Sequence, residues 1–359
     1  MVVQAPEQLL SLDLKQFSGR TTASELNMLV ELLRPHLRRV IAVFNGKGGQ
    51  GKTSVTTHIA GLLAEAEQDK AERGLDAGRV LVLEMDSQGN TLLDLGVKGH
   101  PLNDNGDSLA MALQYGTEPK IIRDVRPFLD IIPSGVELEQ LPVQMVALIN
   151  KRGRAAWLSL AIMLAKLAHV YRWIIIDCPP VTREPQELAL SAARWVLTPV
   201  STGDQASVDG LGGVAHRFQS TEDLNPDLEL LGAVLFGFTH RYRTDRTTGE
   251  KRPVGLWVET RRRLEELLKE ADSDAPVFDA VIRSAETVAV RCRDRGQLTF
   301  EVGEATDGIK WWQKARGESG TVLPTDRAEA VGGDYESLTV EVVKRISEIE
   351  REEEEAAAV

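Results

Sequence analysis

The chain has 359 residues, 42% of them hydrophobic, and a formal net charge of −12. Its apolar runs spread along most of the length, which favours one large α/β domain with appendages over several small ones. The charge excludes a protein that coats nucleic acid with its whole surface, the two cysteines (Cys178 and Cys292) form neither a disulfide framework nor a CxxC pair, and no apolar run approaches the roughly 20 residues that span a bilayer.

Much of the acidity sits at the ends, above all in Glu348–Glu355 (EIEREEEE), so basic patches can still occur in the middle. Residues 1–21 lack a sustained period and read as an arm. Thr22–Arg38 reads as a helix, with apolar residues at Leu26, Leu29, Leu33 and Leu37 and a cap at Thr22 or Ser24. Val40–Phe44 is a short strand, followed by the glycine-rich NGKGGQGKTS and a helix to about Glu72. Further strands are expected at Arg79–Glu84, Leu129–Ile132, Trp173–Ile176, Trp195–Pro199 and Leu231–Phe238, with a helix at Trp157–His169. Alternating strands and helices joined by short loops imply an α/β fold: a doubly wound, mostly parallel sheet with helices on both faces. After Thr239 the sequence turns polar and basic (THRYRTDRTTGEKRP) and reads as an exposed loop before a helix at Val258–Glu270. Val277–Thr299 is a last core segment, 303–333 reads as irregular, and Ser337–Ile349 as an amphipathic helix ahead of a solvated acidic tail. The organisation expected is therefore an N-terminal arm and helix (1–38), a P-loop domain (39–302) and a C-terminal segment (303–359).

Gly46–Thr53 (GKGGQGKT) fits GxxxxGK[ST] residue for residue, between an apolar strand and a helix. Glycines at such positions let successive backbone N–H groups face phosphate oxygens, and the helix adds its positive end. Lys52 would supply a mobile cation to the outer phosphates and Thr53 a hydroxyl to a Mg²⁺ shell. The phosphate-binding set is then Gly46, Lys47, Gly48, Gly49, Gln50, Gly51, Lys52, Thr53 and Ser54. In EMDSQGN (84–90), Asp86 follows a strand, and at the end of IIID (174–177) Asp177 emerges at a strand's carboxyl end, where such carboxylates meet magnesium or its waters.

Lys47 makes the loop KGGxGK[ST], which resembles the deviant Walker A motif of the ParA/MinD group of ATPases, and within it the ParA-type partition proteins. EMDSQGN resembles that family's DxDPQGN, with Glu84 in place of its first aspartate and Ser87 in place of its proline. Leu197–Leu211 and Ala280–Thr299 resemble further family segments, so the resemblance covers about residues 39–302. It implies a homodimer sandwiching ATP and Mg²⁺, with Lys47 reaching the partner's phosphates and Asp86 positioning the attacking water. It makes Thr53, Asp86 and Asp177 the metal-site residues, and Ile282 and Arg283 the contacts to the base. It also implies nonspecific double-stranded DNA as a ligand, through Arg241, Arg243, Arg246, Lys251 and Arg252 and then Arg261, Arg262 and Arg263 on the next helix. A ParB-type centromere-binding protein would stimulate a slow ATPase, in a cytoplasmic, nucleoid-associated protein. The alternative is a MinD-like or cargo-positioning ATPase on a membrane or protein scaffold; against a membrane role, the last helix is rich in glutamate, which anionic lipid repels.

Overall fold

The computed structural model describes residues 12, 21–201, 214–239, 242–244, 251–253, 255–302 and 325–357. Its centre is an eight-stranded sheet in the order β10-β7-β6-β1-β5-β2-β4-β3. The strands are β1 (Val40–Val43), β2 (Arg79–Glu84), β3 (Ile122–Arg126), β4 (Leu129–Ile132), β5 (Tyr171–Asp177), β6 (Trp195–Ser201), β7 (Glu229–Phe238) and β10 (Val277–Arg283). All neighbours are parallel except β3, which runs antiparallel to β4 at the sheet's edge. That edge strand has no run of apolar residues (IRDVR), so hydrophobic patterning does not announce it.

The central strands read as unbroken apolar runs because both faces are covered. Successive side chains alternate between two cores. Val40, Ala42, Phe44, Leu81, Leu83, Ile174 and Ile176 face one of them. That layer is built from α1 (Ala23–Leu33), α4 (Asp107–Tyr115), α5 (Leu141–Arg152), α6 (Ser159–Leu167) and α7 (Arg183–Ala192). Ile41, Val43, Val80, Val82, Ile175 and Leu197 face the other, beneath α2 (Lys52–Glu72) and the C-terminal α10 (Thr325–Ala357). Three more helices complete the described set: α3 (Asn90–Asp94), α8 (Leu256–Glu270) and α9 (Glu286–Arg295).

The N-terminal helix begins at the expected cap. Thr22 Oγ1 accepts from Glu25 N at 3.2 Å while Glu25 Oε2 accepts from Thr22 N at 2.8 Å, a reciprocal capping box. It ends earlier than Arg38, because Pro35 falls in a 3₁₀ turn over Arg34–His36. The basic stretch after Phe238 is not a plain loop either. Tyr242–Thr244 (β8) and Lys251–Pro253 (β9) pair antiparallel, with Arg243 opposite Arg252. Arg241 and Arg246 lie outside the described residues.

The largest departure is at the C-terminus, where helix α10 is far longer than Ser337–Ile349 and runs on through the acidic residues. Val331, Tyr335, Leu338, Val342 and Ile346, at helical spacing, are buried against the sheet and α2. Nor is the whole acidic end solvated. Glu350 takes both Nε and Nη2 of Arg39, at 2.9 and 2.6 Å, and Glu353 takes Arg38 and Arg194 at 2.7 and 2.9 Å. Among the described residues no helix is long and apolar enough to cross a membrane.

Leu338 is fully buried between α10 and the sheet layer. Leu338→Ala is expected to cost about 2–5 kcal/mol of stability in urea unfolding, the range for emptied leucine sites; a change under about 0.5 kcal/mol would show that α10 is dispensable to the core.

Candidate functional site

The carboxyl ends of β1, β5 and β6 meet at one edge of the sheet, and the loop after β1 is fastened to that edge before it turns. Phe44 N donates to Leu197 O at 3.0 Å. Buried Asn45 donates from Nδ2 to Pro199 O at 2.8 Å and accepts Lys47 N at 3.1 Å. Gln50 Oε1 accepts Ser201 N at 2.7 Å. The Gln50 side chain is thus a strut between the loop and β6. Asn45 was missed in the sequence because it stands just before the motif.

Gly49 and Gly51 have φ of +73° and +80°, the left-handed region where a side chain is strained. At Gly51 a Cβ would also lie 2.4 Å from the Phe236 ring. A Cβ on Gly46, Gly48 or Gly49 would meet nothing within 4 Å, so the space on that side of these residues is open. Lys47 sits between two of them and is half-buried; Lys52, the first residue of α2, donates from Nζ back to the Lys47 carbonyl at 2.7 Å. Burial lowers the Lys52 pKa, and the Asp177 carboxylate opposes that shift.

Asp177 ends β5 fully buried. Its Oδ2 accepts the Thr53 hydroxyl at 2.8 Å, and Thr56 Oγ1 lies 3.5 Å from Oδ1. Desolvation pushes its pKa up to about 7, against the pull of Thr53 and Lys52. A cation placed beside it would favour the ionised form. Asp86, half-buried in the turn after β2, is close enough to add to that upward shift; its carboxylate accepts Gln88 N at 3.0 Å and its carbonyl accepts the Ser134 hydroxyl at 2.8 Å. The structure therefore brings Lys52, Thr53, Asp86 and Asp177 together. Among the described residues no group of three His, Cys, Asp or Glu side chains could hold a metal by itself. One hydroxyl and one or two carboxylates are what Mg²⁺ takes when phosphates and water complete its shell, so the donor set fits that ion.

The Glu84 departure has a structural account. Opposite Asp177 in the β2–β5 register and fully buried, Glu84 accepts Thr91 N at 3.1 Å and also the Thr91 hydroxyl, which anchors the first turn of α3. Burial and the neighbouring Asp177 push its pKa up to about 8.

Beside the loop lies a cavity of about 370 Å³ whose wall includes Gly49, Ser54, Phe236, Ile282, Arg283 and Tyr335. Ile282 and Arg283, the residues expected to contact a base, both line this cavity. Arg283 is not a loose side chain: Nε and Nη2 each lie 2.7 Å from the Asp334 carboxylate. His58, in the second turn of α2, lies in the same wall. Its Nδ1 donates to Ser54 O at 2.7 Å, its Nε2 accepts Thr299 N at 3.1 Å, and its ring stacks on Tyr335 at 3.9 Å. A carbonyl on one side and an N–H on the other fix the neutral Nδ1–H tautomer. A lone histidine in a helix carries no signal of such a role.

The expected DNA-contact residues are more dispersed. Arg243, Lys251 and Arg252 are brought together by the β8–β9 register. Arg261 is committed elsewhere, its guanidinium donating to Asp279 Oδ1 at 3.0 Å and to the Phe278 carbonyl, which ties α8 to β10. Arg262 pairs with Glu266 one turn on, and Arg263 lies half-buried on the same helix.

A family model described as an AAA domain matches residues 38–230, more than half of the chain. A ParA family protein of Chlamydia trachomatis is 32% identical over 248 residues, 67% of this chain and 89% of that protein. The chain belongs to the ParA/MinD family. The chromosome partitioning protein ParA of Myxococcus xanthus is 31% identical over 210 residues, 56% of this chain and 66% of that protein. Among solved structures, apo McdA of Cyanothece superposes with a TM-score of 0.58 at 20% identity, over 75% of this chain and 94% of its own. The cobyrinic acid a,c-diamide synthase of Mycobacterium smegmatis, with bound ADP and magnesium, superposes with a TM-score of 0.51 at 26% identity, over 75% and 96%. The expected P-loop ATPase fold is the one observed.

Burial lowers the His58 pKa from 6.5 to about 4. The unfolded chain therefore binds a proton that the folded one refuses: the contribution, about 3 kcal/mol, is present above pH 6.5 and is lost as pH falls through 4. Urea titrations at a series of pH values, wild type against His58→Gln, should show that part of the acid slope vanish in the variant; identical slopes would mean that His58 titrates normally.

Proposed function

We propose that this chain is an ATP-dependent, dimerising DNA-partition ATPase. ATP and Mg²⁺ favour a face-to-face homodimer, the dimer binds double-stranded DNA without regard to sequence, and hydrolysis, stimulated by a ParB-type partner, releases it. The observation that carries the reading is the loop itself: Lys47 lies among glycines whose outer side is open, while Lys52, Thr53, Asp86 and Asp177 converge behind it. The similar proteins, partition proteins and an ADP–magnesium complex among them, support it.

In this scheme the loop N–H groups and Lys52 hold the phosphates, and Thr53 and Asp177 hold Mg²⁺, which would neutralise charge on the transferring phosphoryl group. Asp86 orients the attacking water. Lys47 supplies the second cation across the dimer and so makes ATP bind the dimer better than the monomer, the differential that any ligand-driven switch requires. For DNA, the β8–β9 ribbon is the candidate surface. Its register sets Arg243 opposite Arg252, and arginines on one ribbon suit contacts to phosphate, which are independent of base sequence and weaken with salt.

Lys52→Ala is expected to abolish ATP binding in calorimetry, and retained affinity would reject the phosphate site. Asp86→Ala is expected to bind ATP and dimerise in sedimentation while hydrolysing at least about 100-fold more slowly, in line with losing a positioned catalytic group; ordinary turnover would remove Asp86 from the chemistry. The DNA arm is tested by duplex binding with ATP, with ADP and without nucleotide, across a salt series. Binding should require ATP and weaken with salt, and Arg243→Ala with Arg252→Ala should reduce it without changing ATP affinity. No binding in any state would instead support a protein- or membrane-positioning ATPase on the same nucleotide site.

A further inference from the structure

The cavity beside the loop is not closed by the residues of the matched family region alone. Part of its wall is one turn of α10, a helix that lies beyond residue 230 where that match ends. Val331 and Tyr335 line it, and Asp334, between them, faces Arg283. Asp334 accepts from the Arg283 backbone N at 3.0 Å as well as from its guanidinium. Two turns further on, Glu341 accepts Asp279 N and Ala280 N at 2.8 Å each. The strand that carries Ile282 and Arg283 is thus bonded to α10 at two levels. In the same wall the Thr299 hydroxyl is buried with no hydrogen-bond partner among the described residues, although a buried hydroxyl ordinarily has one.

We propose that Asp334 is a positioning residue for nucleotide recognition: by gripping Arg283 it sets the guanidinium plane in the wall of the cavity, where it meets the purine base of the nucleotide. This rests on the ATP reading of the phosphate loop. A planar guanidinium offers stacking to an aromatic ring and donors to ring nitrogens, and an arginine already held by a carboxylate loses less freedom when the ligand arrives. Tyr335 next to it, stacked on His58 of the helix that begins at Lys52, fixes the distance between the α10 wall and the phosphate end. The Thr299 hydroxyl supplies a polar atom for the same ligand. Asp334 touches no reacting atom; it acts through Arg283.

The test is calorimetric affinity of the full chain for Mg-ATP and for inorganic tripolyphosphate, in wild type, Asp334→Asn, Arg283→Ala and the double variant. Asp334→Asn is expected to weaken ATP about 10-fold, the scale of a hydrogen bond to a charged group, and to leave tripolyphosphate unchanged. In the Arg283→Ala background the same change should add less than about 2-fold, because its effect passes through the arginine. Additive losses, or equal losses of ATP and tripolyphosphate, would overturn the proposal. Thr299→Val keeps volume and leaves α10 untouched, so it covers the case of a variant that folds badly. It should weaken ATP several-fold and spare tripolyphosphate, and unchanged ATP affinity would overturn the cavity as the base subsite. A wild type that binds neither ligand would reject the phosphate-loop reading itself, whereas a wild type that binds both, with variants that bind equally well, rejects only this inference.

Discussion

Taking a carboxylate wholly out of water is costly unless partners replace the water, and the loop-bearing edge of this sheet is organised around that constraint at Asp177. The side chain ends a central strand, is buried, and has the Thr53 hydroxyl and the Lys52 charge as its compensation. Both belong to the first turn of α2, so the loop must close at the height that brings that turn onto the end of β5. The struts from Asn45 to β6 and from Gln50 to Ser201 hold it there. Glu84 raises the stakes, because a second buried acid stands opposite Asp177 and is tolerated through its bonds to Thr91.

What the sequence made legible follows from how local each signal is. The strands β1, β2 and β5 are continuous apolar runs, and a parallel sheet buried on both faces produces such runs directly. The phosphate loop is legible because its chemistry needs glycines and a lysine at fixed spacing within eight residues. The antiparallel β3 was invisible because an edge strand needs no apolar alternation, and its charged residues serve as protection instead. His58, Asp334 and Thr299 were invisible for another reason. Each is placed by a neighbour tens to hundreds of positions away, and nothing in the residue itself records that neighbour.

The acidic C-terminal run shows how composition can mislead. Four consecutive glutamates resemble a solvated tail, and most of that surface is indeed exposed. Yet Glu350 and Glu353 reach Arg38, Arg39 and Arg194, at the opposite end of the strands from the phosphate loop, where Arg39 and Arg194 also lie over the rings of Trp173 and Trp195. Exposed ion pairs contribute little singly, and here they fix where a helix lies whose stability comes from its buried apolar stripe.

That stripe also bears on biosynthesis. The face of α2 covered by Tyr335, Leu338 and Val342 is translated early, and its cover follows roughly 280 positions later. At translation rates of about 5–20 residues per second, the phosphate-loop helix waits on the order of 15–60 s with apolar surface uncovered. The nascent chain therefore passes through a stage in which most of the sheet can form while one side of it remains adhesive, and it is in that interval that chaperone contact or aggregation competes with completion of the fold.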